Sequence, residues 1–308
     1  MHTPREVWAA RPEARLILIL SSERSGSTLL RVMLGGHSRI IAPQELFLLR
    51  YPDFDTWRAR KSVAMESLLE LFDLLGHEQS EEGITSSCRG MPMVDVYKWI
   101  FEFLPAAAVL LDKTPAYAND LATLDRSRPL TPFYVWLLRH PLGVIDSHVR
   151  VKERERQRRP LPGRMLRPLR DAIERLTDGL PALARKREAK WALQNSNVRD
   201  FLRQVPAEQQ AKVHFEQLVQ NPEAVVRELC AAIGLEPEPQ MVRPETRQTM
   251  NPNLGDPNFH LHGAIDVQPA ASWTARYSET QLRPETLALM QELGIPSRRA
   301  SGARHHAA

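Results

Sequence analysis

Consecutive apolar residues occur in short runs along the chain, and between these runs apolar residues return every three or four positions. The runs span residues 15–20, 106–112, 133–138 and, less clearly, 212–215. They do not alternate apolar with polar residues, a pattern that is typical of strands buried on both faces of a parallel sheet. The pattern therefore predicts the strands of one parallel sheet.

The segments between the runs have the period of amphipathic helices. The helices predicted in this way are 28–35, 62–75, 142–152, 189–202, 223–233 and 279–293. Strands that alternate with helices indicate right-handed crossover connections. The predicted fold class is α/β, a parallel sheet flanked by helices.

The chain has 308 residues, enough for one large domain with a substantial core. We expect a single domain at 14–297, with helical insertions at about 50–105 and 153–188 and a disordered tail at 298–308. The second insertion is rich in Arg and Pro. It is either a solvated insertion, or a basic lid or docking surface for an acidic partner.

The amino-acid composition limits the cellular compartment and the classes of binding partner to be considered. Hydrophobic residues make up 43% of the chain, and no apolar run reaches the roughly 18 residues of a membrane span. The two cysteines are far apart and suit no disulfide framework or metal site, which favours a reducing cytoplasm. The net charge is +4, but aromatics are 6% and no basic run alternates with them. A pocket for a polyanionic small molecule fits this charge equally well, and we expect neither a nucleic acid nor a membrane as partner.

The first predicted strand leads into a turn, "SSERSGST", and then into a helix. Backbone N–H groups at the start of that helix, with its dipole, favour an anion. Ser25, Ser27 and Thr28 add hydroxyl donors, Arg24 adds a cation, and Gly26 allows a tight turn. The lysine of an ATP-binding loop is absent, because Ser27 stands in its place. The turn is therefore either an anion site without that lysine or an ordinary capped strand–helix connection.

A second candidate anion site follows the run 133–138. Arg139 comes directly after it, and Ser147 lies about two turns into the next predicted helix. Side chains at the carboxyl ends of strands reach the edge where open α/β sheets bind ligands. Arg139 and Ser147 are thus candidates for a second phosphate, unless Arg139 makes a structural ion pair.

Together the two sites resemble the sulfotransferase family, whose members use 3′-phosphoadenosine-5′-phosphosulfate (PAPS). Further similar stretches are "LLDKTPAY", "KWALQNSN" and "VHFEQLVQNPEAVVRELCAAIGL". The resemblance implies a P-loop nucleotide-kinase-like fold, a turn that holds the 5′-phosphosulfate, and a 3′-phosphate held by Arg139 and Ser147. It also implies that Lys113 stabilises the leaving phosphate and that no metal is needed.

Hormone and phenol sulfotransferases carry a histidine base in "KTH", but this chain has Lys113-Thr114-Pro115. The stretches "PQELFLL" and "GDPNFHLHGAID" instead resemble the sulfotransferase domains of curacin-type and olefin-synthase polyketide assembly lines. That subgroup sulfates the β-hydroxyl of an acyl chain on a carrier protein. The likeness implies Glu45 and His262 as catalytic residues, with His260 as the alternative to His262 if the register of the match is shifted by two residues.

Three aromatic residues and one basic stretch complete the expectations. Phe215 stands where the family often has tyrosine, so a hydroxyl contact to adenine is lost. Trp191 and Trp273 are candidates for adenine or lid contacts, or simply core residues. If the acceptor is carrier-bound, the arginines of 150–170 are candidates for docking the carrier protein.

The predicted function is therefore PAPS-dependent sulfotransferase, with a carrier-bound β-hydroxyl as the favoured acceptor. A free alcohol, a phenol or a peptide tyrosine remains the alternative acceptor. A P-loop kinase and a nucleotide-binding module without catalysis are the alternatives of other classes.

Overall fold

The computed structural model describes residues 15–158, 180–243 and 265–297. Their packing divides them into two compact units, which we treat separately. The described residues of one unit are 15–138, 194–243 and 265–266, and those of the other are 139–158, 180–193 and 267–297. The predicted tail 298–308 and most of the predicted insertion 153–188 lie outside the described residues.

The first unit contains a parallel sheet. Its strands are β1 (Leu16–Ser21), β2 (Ile40–Ile41), β3 (Val109–Lys113), β4 (Phe133–Leu138) and β5 (Gln210–His214). They are arranged in the order β2-β3-β1-β4-β5, with every neighbouring pair parallel. β1 therefore lies at the centre, and the carboxyl ends of β1, β3 and β4 share the edge at which such sheets bind ligands.

The described residues also form α-helices, which are shared between the two units. They are α1 (Ser27–Leu34), α2 (Phe54–Arg60), α3 (Ala64–Leu74), α4 (Glu81–Cys88), α5 (Met93–Phe103), α6 (Leu121–Asp125), α7 (Pro141–Arg158), α8 (Ala182–Leu202), α9 (Phe215–Gln220), α10 (Pro222–Ile233) and α11 (Pro284–Leu293). The predicted α/β class, a parallel sheet flanked by helices, is confirmed. Within the described residues, no helix combines the length and the apolar character needed to span a membrane.

Burial explains why the apolar runs became strands. Every residue of β1, β3 and β4 is buried, so each strand removes an unbroken row of side chains from water. At roughly 25 cal/mol per Å² of apolar surface, such rows dominate the stability of the sheet. β3 begins at Val109 rather than at 106, because Ala107 has a positive φ of 65° and forms a turn.

The segment between β2 and β3 forms helices α2 to α5, and its caps come from local side chains. Asp53 accepts a hydrogen bond from the Thr56 N–H at 2.8 Å, and Ser80 accepts one from Gly83 at 3.0 Å. Such N-caps each stabilise a helix by about 1 kcal/mol. The indole of Trp57 in α2 donates to the Leu46 carbonyl at 2.9 Å and so fixes the chain next to Glu45.

The second unit contains α7, the first part of α8, and α11. Glu188 of α8 is fully buried and accepts hydrogen bonds from the Arg283 N–H at 2.7 Å and the Thr286 hydroxyl at 2.8 Å. Arg185 pairs with the same carboxylate at 2.8 Å. These bonds fix the start of α11, since a buried carboxylate is tolerated when its oxygens are satisfied.

Candidate active site

The turn between β1 and α1 has the backbone of an anion site. Arg24 and Gly26 both have positive φ, 64° and 90°, and the hydroxyl oxygens of Ser22 and Ser25 lie 2.7 Å apart. Gly26 caps α1, and its carbonyl accepts the Leu30 N–H at 3.1 Å. The first N–H groups of a helix have no partner within it, and its dipole adds positive potential. The turn can therefore hold a phosphate or sulfate group.

Hydroxyl groups surround the same turn. Ser25 is fully buried, and Ser27 and Thr28 in the first turn of α1 are 5% and 8% exposed. Together with Arg24 and Gly26, these are the five consecutive residues predicted to bind the phosphosulfate. Because they form one tight turn at the end of β1, their donors lie close enough together to serve a single anion.

The ring of Phe215 packs against Gly26 of this turn. A Cβ built on Gly26 would lie 2.3 Å from the Phe215 ring, so no larger residue fits in the present packing. Phe215 is 5% exposed and is the first residue of α9. The side chain at the family's tyrosine position therefore packs against the backbone of the anion-binding turn.

Lys113 and Glu45 meet beside α1. The Lys113 Nζ donates to Glu45 Oε1 at 2.6 Å and to Thr28 Oγ1 at 3.4 Å. The Lys113 side chain is 2% exposed and that of Glu45 is 15% exposed. Two predicted catalytic residues, separated by 68 positions in sequence, are thus brought together next to one residue of the anion-binding turn.

The surroundings of Lys113 disfavour the charged form of its side chain. Burial lowers the pKa of its ammonium group from the usual 10.5, and the nearby Arg31 cation acts in the same direction. The Glu45 carboxylate opposes both by raising that pKa. Lys113 is therefore a poorly hydrated cation, which interacts more strongly with a neighbouring anion than an exposed lysine does.

Arg139 and Ser147 belong to the second unit. Arg139 is 6% exposed and donates from Nη2 to the Pro269 carbonyl at 2.7 Å. Trp191 donates from its indole to the Arg139 carbonyl at 3.1 Å. A Cβ on Gly143 would lie 3.0 Å from Arg139 Nε, so the guanidinium lies over the first turn of α7. Ser147 lies farther along α7.

His140 directly precedes α7, and its side chain contacts Glu279 and Trp273 from the later part of the chain. Its Nδ1 accepts the Leu142 N–H at 3.2 Å, so in the neutral ring Nε2 carries the proton and donates to Glu279 at 2.9 Å. The ring stacks on Trp273 with centroids 4.2 Å apart. Trp191 and Trp273 are each 1% exposed, and in this structure they pack within the second unit.

Some predicted residues lie outside the described part of the chain. These are His262, the nearby His260, and four arginines of the predicted docking surface, Arg159, Arg164, Arg167 and Arg170. Arg156 and Arg158 fall within α7, but their side chains are likewise outside it. Among the residues described, no group of three or more His, Cys, Asp or Glu side chains is placed to hold a metal ion.

A cluster of buried polar residues next to the segment that carries Glu45 was not predicted from the sequence. Asp112, the neighbour of Lys113 on β3, accepts hydrogen bonds from Tyr117 at 2.7 Å and Thr114 at 3.1 Å, and from Tyr97. The available signal was an acidic residue inside the apolar run "VLLDK", since a buried carboxylate needs partners.

This fold and this site define a class of protein. A parallel sheet, an anion-binding turn after its central strand, and a lysine–carboxylate pair at the same edge are typical of P-loop-like proteins that act on phosphorylated or sulfated groups. The model of the sulfotransferase family matches residues 17–239, more than half of the chain. The chain belongs to the sulfotransferase family, which selects sulfuryl transfer over the kinase alternative.

Solved structures agree with this assignment. The sulfotransferase domain of the olefin synthase from Synechococcus PCC 7002 has 28% sequence identity and a TM-score of 0.74, covering 92% of this chain and 96% of its own. The sulfotransferase domain from the curacin biosynthetic pathway has 29% identity and a TM-score of 0.69, covering 92% and 99%. No curated protein sequence matches this chain significantly.

Proposed function

We propose that the protein transfers the sulfuryl group of PAPS to the β-hydroxyl of an acyl chain bound to an acyl carrier protein. The observation that carries the proposal is the Lys113–Glu45 pair, with Nζ 2.6 Å from the carboxylate and 3.4 Å from Thr28 in the anion-binding turn. Transfer to a hydroxyl needs a proton acceptor and a cation near the leaving oxygen. This pair supplies both at one place.

In the proposed reaction, the acceptor oxygen bonds to sulfur while the bond between sulfur and the donor's phosphate oxygen breaks. The hydroxyl proton passes to Glu45, and the electron pair of the broken bond leaves with the phosphate. Lys113 and the amides of the turn stabilise the charge on that oxygen. His262 is the second candidate for accepting the proton.

The remaining donor contacts follow from the resemblance and from the chemistry of the side chains. Arg24, Ser25, Gly26, Ser27 and Thr28 are assigned to the 5′-phosphosulfate. Arg139 and Ser147 are assigned to the 3′-phosphate, for which the two-pronged guanidinium is well suited. The proposal includes no metal ion.

The choice of acceptor is supported by relatives. Both sulfotransferase domains compared above come from biosynthetic systems, an olefin synthase and the curacin pathway. The stretches around Glu45 and His262 resemble polyketide sulfotransferases that act on carrier-bound chains. A carrier protein is therefore the proposed partner, and the arginines of 150–170 are its proposed docking surface.

We also propose a reducing compartment, the cytoplasm. Cys88 and Cys230 are both buried free thiols. Burial raises the pKa of Cys88 to about 12 and that of Cys230 to about 11. Such thiols are weak nucleophiles, and buried free cysteines are usual where disulfides do not form.

The decisive experiment is sulfate transfer from PAPS, followed by mass spectrometry, with four acceptors compared at equal concentration. They are a β-hydroxyacyl carrier protein, a free β-hydroxy acid, a phenol and a tyrosine peptide. We expect the carrier-bound substrate to have the highest kcat/KM. A preference for the phenol or the peptide would contradict the proposed acceptor, and no transfer to any of them would contradict the proposed function.

The role of Glu45 is tested by Glu45→Gln, which keeps the size of the side chain but cannot accept the proton. Turnover should fall by about 10²–10⁴, with little change in affinity for the donor product. Glu70→Gln is the matched control, because the Glu70 carboxylate accepts the Gln44 N–H at 3.0 Å and a glutamine oxygen can still do so. Full activity of Glu45→Gln would transfer the role of base to His262.

The role of Arg139 is tested by calorimetry with adenosine 3′,5′-bisphosphate. Arg139→Ala should weaken binding by roughly 2–4 kcal/mol, the usual cost of removing one partner of a buried charge pair. Arg185→Ala is the control in the same unit, since it removes an arginine paired with Glu188. Equal affinities of the two variants would show that Arg139 does not bind the 3′-phosphate.

A further inference from the structure

A buried hydrogen-bond network connects Asp112 to the chain segment that carries Glu45. Asp112 is fully buried, and its carboxylate is the acceptor for the hydroxyls of Tyr97, Tyr117 and Thr114. The Tyr117 oxygen lies 3.3 Å from the Leu49 nitrogen, whose N–H it accepts. Both tyrosines and the carboxylate are far from solvent, so these bonds are not exchanged with water.

Thr114 makes the second connection to the same segment. Its hydroxyl oxygen accepts the Phe47 N–H at 3.3 Å while its own proton is donated to Asp112 at 3.1 Å. Phe47 has a positive φ of 56°, a strained conformation for a residue other than glycine. The surrounding contacts must therefore hold the backbone two residues after Glu45 in place.

The direction of the protons gives Asp112 a specific role. A hydroxyl group has one proton and two lone pairs. Because Thr114 and Tyr117 both donate their proton to Asp112, their lone pairs remain for the N–H groups of Phe47 and Leu49. An asparagine at position 112 would donate protons from its NH2 group. At least one of the hydroxyls that donate to Asp112 would then have to rotate and accept instead.

We propose that Asp112 is a positioning residue that holds Glu45 against Lys113 by orienting the hydroxyls of Thr114 and Tyr117 towards the 47–49 backbone. Asp112 and Lys113 are consecutive on β3, so one strand carries both the cation that pairs with Glu45 and the carboxylate that orders its segment. The inference rests on the proposed function of Glu45. It adds that the reactivity of Glu45 depends on a cluster that does not touch the substrate.

The test compares Tyr117→Phe, Thr114→Val and Asp112→Asn with Tyr134→Phe. Tyr134 is a matched control, since it is also buried in the sheet unit and its hydroxyl bonds only to Ser127 among the contacts of the described residues, at 2.7 Å. Thr114→Ser keeps the hydroxyl and serves as the conservative variant. Turnover, KM for PAPS and hydrogen–deuterium exchange of the peptide 45–50 are measured for each.

We expect the three network variants to lose about 10–100-fold in kcat, the range for a small misplacement of a catalytic group, with KM for PAPS within about two-fold. Exchange of the 45–50 peptide should rise several-fold, because the Phe47 and Leu49 amides lose acceptors. Thr114→Ser and Tyr134→Phe should behave like the parent. If Asp112→Asn does not fold, the single hydroxyl variants decide the question.

Unchanged exchange in Tyr117→Phe and Thr114→Val would overturn the positioning role, as would a loss of turnover no greater than that of Tyr134→Phe. The exchange measurement needs no substrate. If the parent protein sulfates none of the acceptors, the proposed function fails while exchange still shows whether the network orders the segment around Glu45.

Discussion

Burial of the Lys113 charge is unfavourable for stability, but it also makes that charge effective at stabilising an anion. Its ammonium group is buried, and burial lowers its pKa, so water no longer stabilises its charge. The charge is retained in the structure by Glu45 at 2.6 Å and Thr28 at 3.4 Å. An ammonium group with so few partners interacts favourably with an additional anion. This is the property needed where the charge on a leaving phosphate oxygen must be stabilised.

A double-mutant cycle measures how strongly this pair is coupled. Lys113→Met and Glu45→Gln should each lower the free energy of unfolding, because each leaves its partner buried without a counter-charge. The double variant should be less destabilised than the sum of the two, with a coupling energy of about 2 kcal/mol. Denaturant unfolding of the four proteins provides the values. Simple additivity would show that the two side chains are not coupled and would contradict this prediction.

At this scale the sequence predicted which neighbouring residues share one turn, but it did not predict contacts between residues that are distant in sequence. Arg24 to Thr28 are consecutive, so their grouping in one turn followed from the strand–turn–helix pattern. Glu45 and Lys113 received catalytic roles only through resemblance to a family, and their contact across 68 positions was not predicted. The partners of Asp112 were not predicted, since nothing in the local pattern indicates that Tyr97 and Tyr117 face the same carboxylate.

The element that defines the site is the connection from β1 to α1. Its geometry depends on two residues with positive φ, of which only one is glycine. Gly26 is needed for two reasons, because its φ is 90° and because Phe215 fills the space where a Cβ would be. The conformation of the turn and the packing of α9 beneath it are therefore coupled.

Gly26→Ala should destabilise the protein by about 2–4 kcal/mol, combining backbone strain with overpacking against the Phe215 ring. It should also weaken binding of adenosine 3′,5′-bisphosphate, since the amides of the turn must move. Adding Phe215→Leu should restore part of the stability by making room for the methyl group, while the strain at positive φ remains. Thermal unfolding and calorimetry test both effects. No recovery in the double variant would show that packing against Phe215 is not the cause.

Elements were predicted well where local pattern and burial agree. β4 was predicted at its observed bounds, because six apolar residues are all buried in the sheet. β2 was not predicted, since Ile40–Ile41 is only two residues long and, among the described strands, pairs with β3 alone. α4 (Glu81–Cys88) shows little apolar periodicity, and its start depends on the Ser80 cap, so its bounds needed the three-dimensional structure.

For the whole molecule, buried ionisable groups make contributions of opposite sign to the dependence of stability on pH. Burial raises the pKa of the Asp112 and Glu70 carboxyls above 3.8 and 4.5, so their contributions become more favourable as pH falls through the raised values. His214 acts in the opposite direction. Burial, with the Lys212 charge, lowers the pKa of its imidazole from 6.5. Its contribution is fully present above about 6.5 and is lost as pH falls through the lowered value.

The contribution of His214, at the end of β5, to the pH dependence of stability can be measured separately. Its Nδ1 is buried and, among the described residues, has no hydrogen-bond partner, so a proton added there would remain unsatisfied. The parent protein should therefore lose more stability between pH 8 and pH 5 than His214→Gln does. Lys212→Gln should reduce the loss partly, because removing that charge allows the His214 pKa to rise. Thermal unfolding of the three proteins at intervals of pH tests this, with the difference between curves cancelling the other titrating groups. Parallel curves for the parent and His214→Gln would show that His214 is not a source of acid sensitivity.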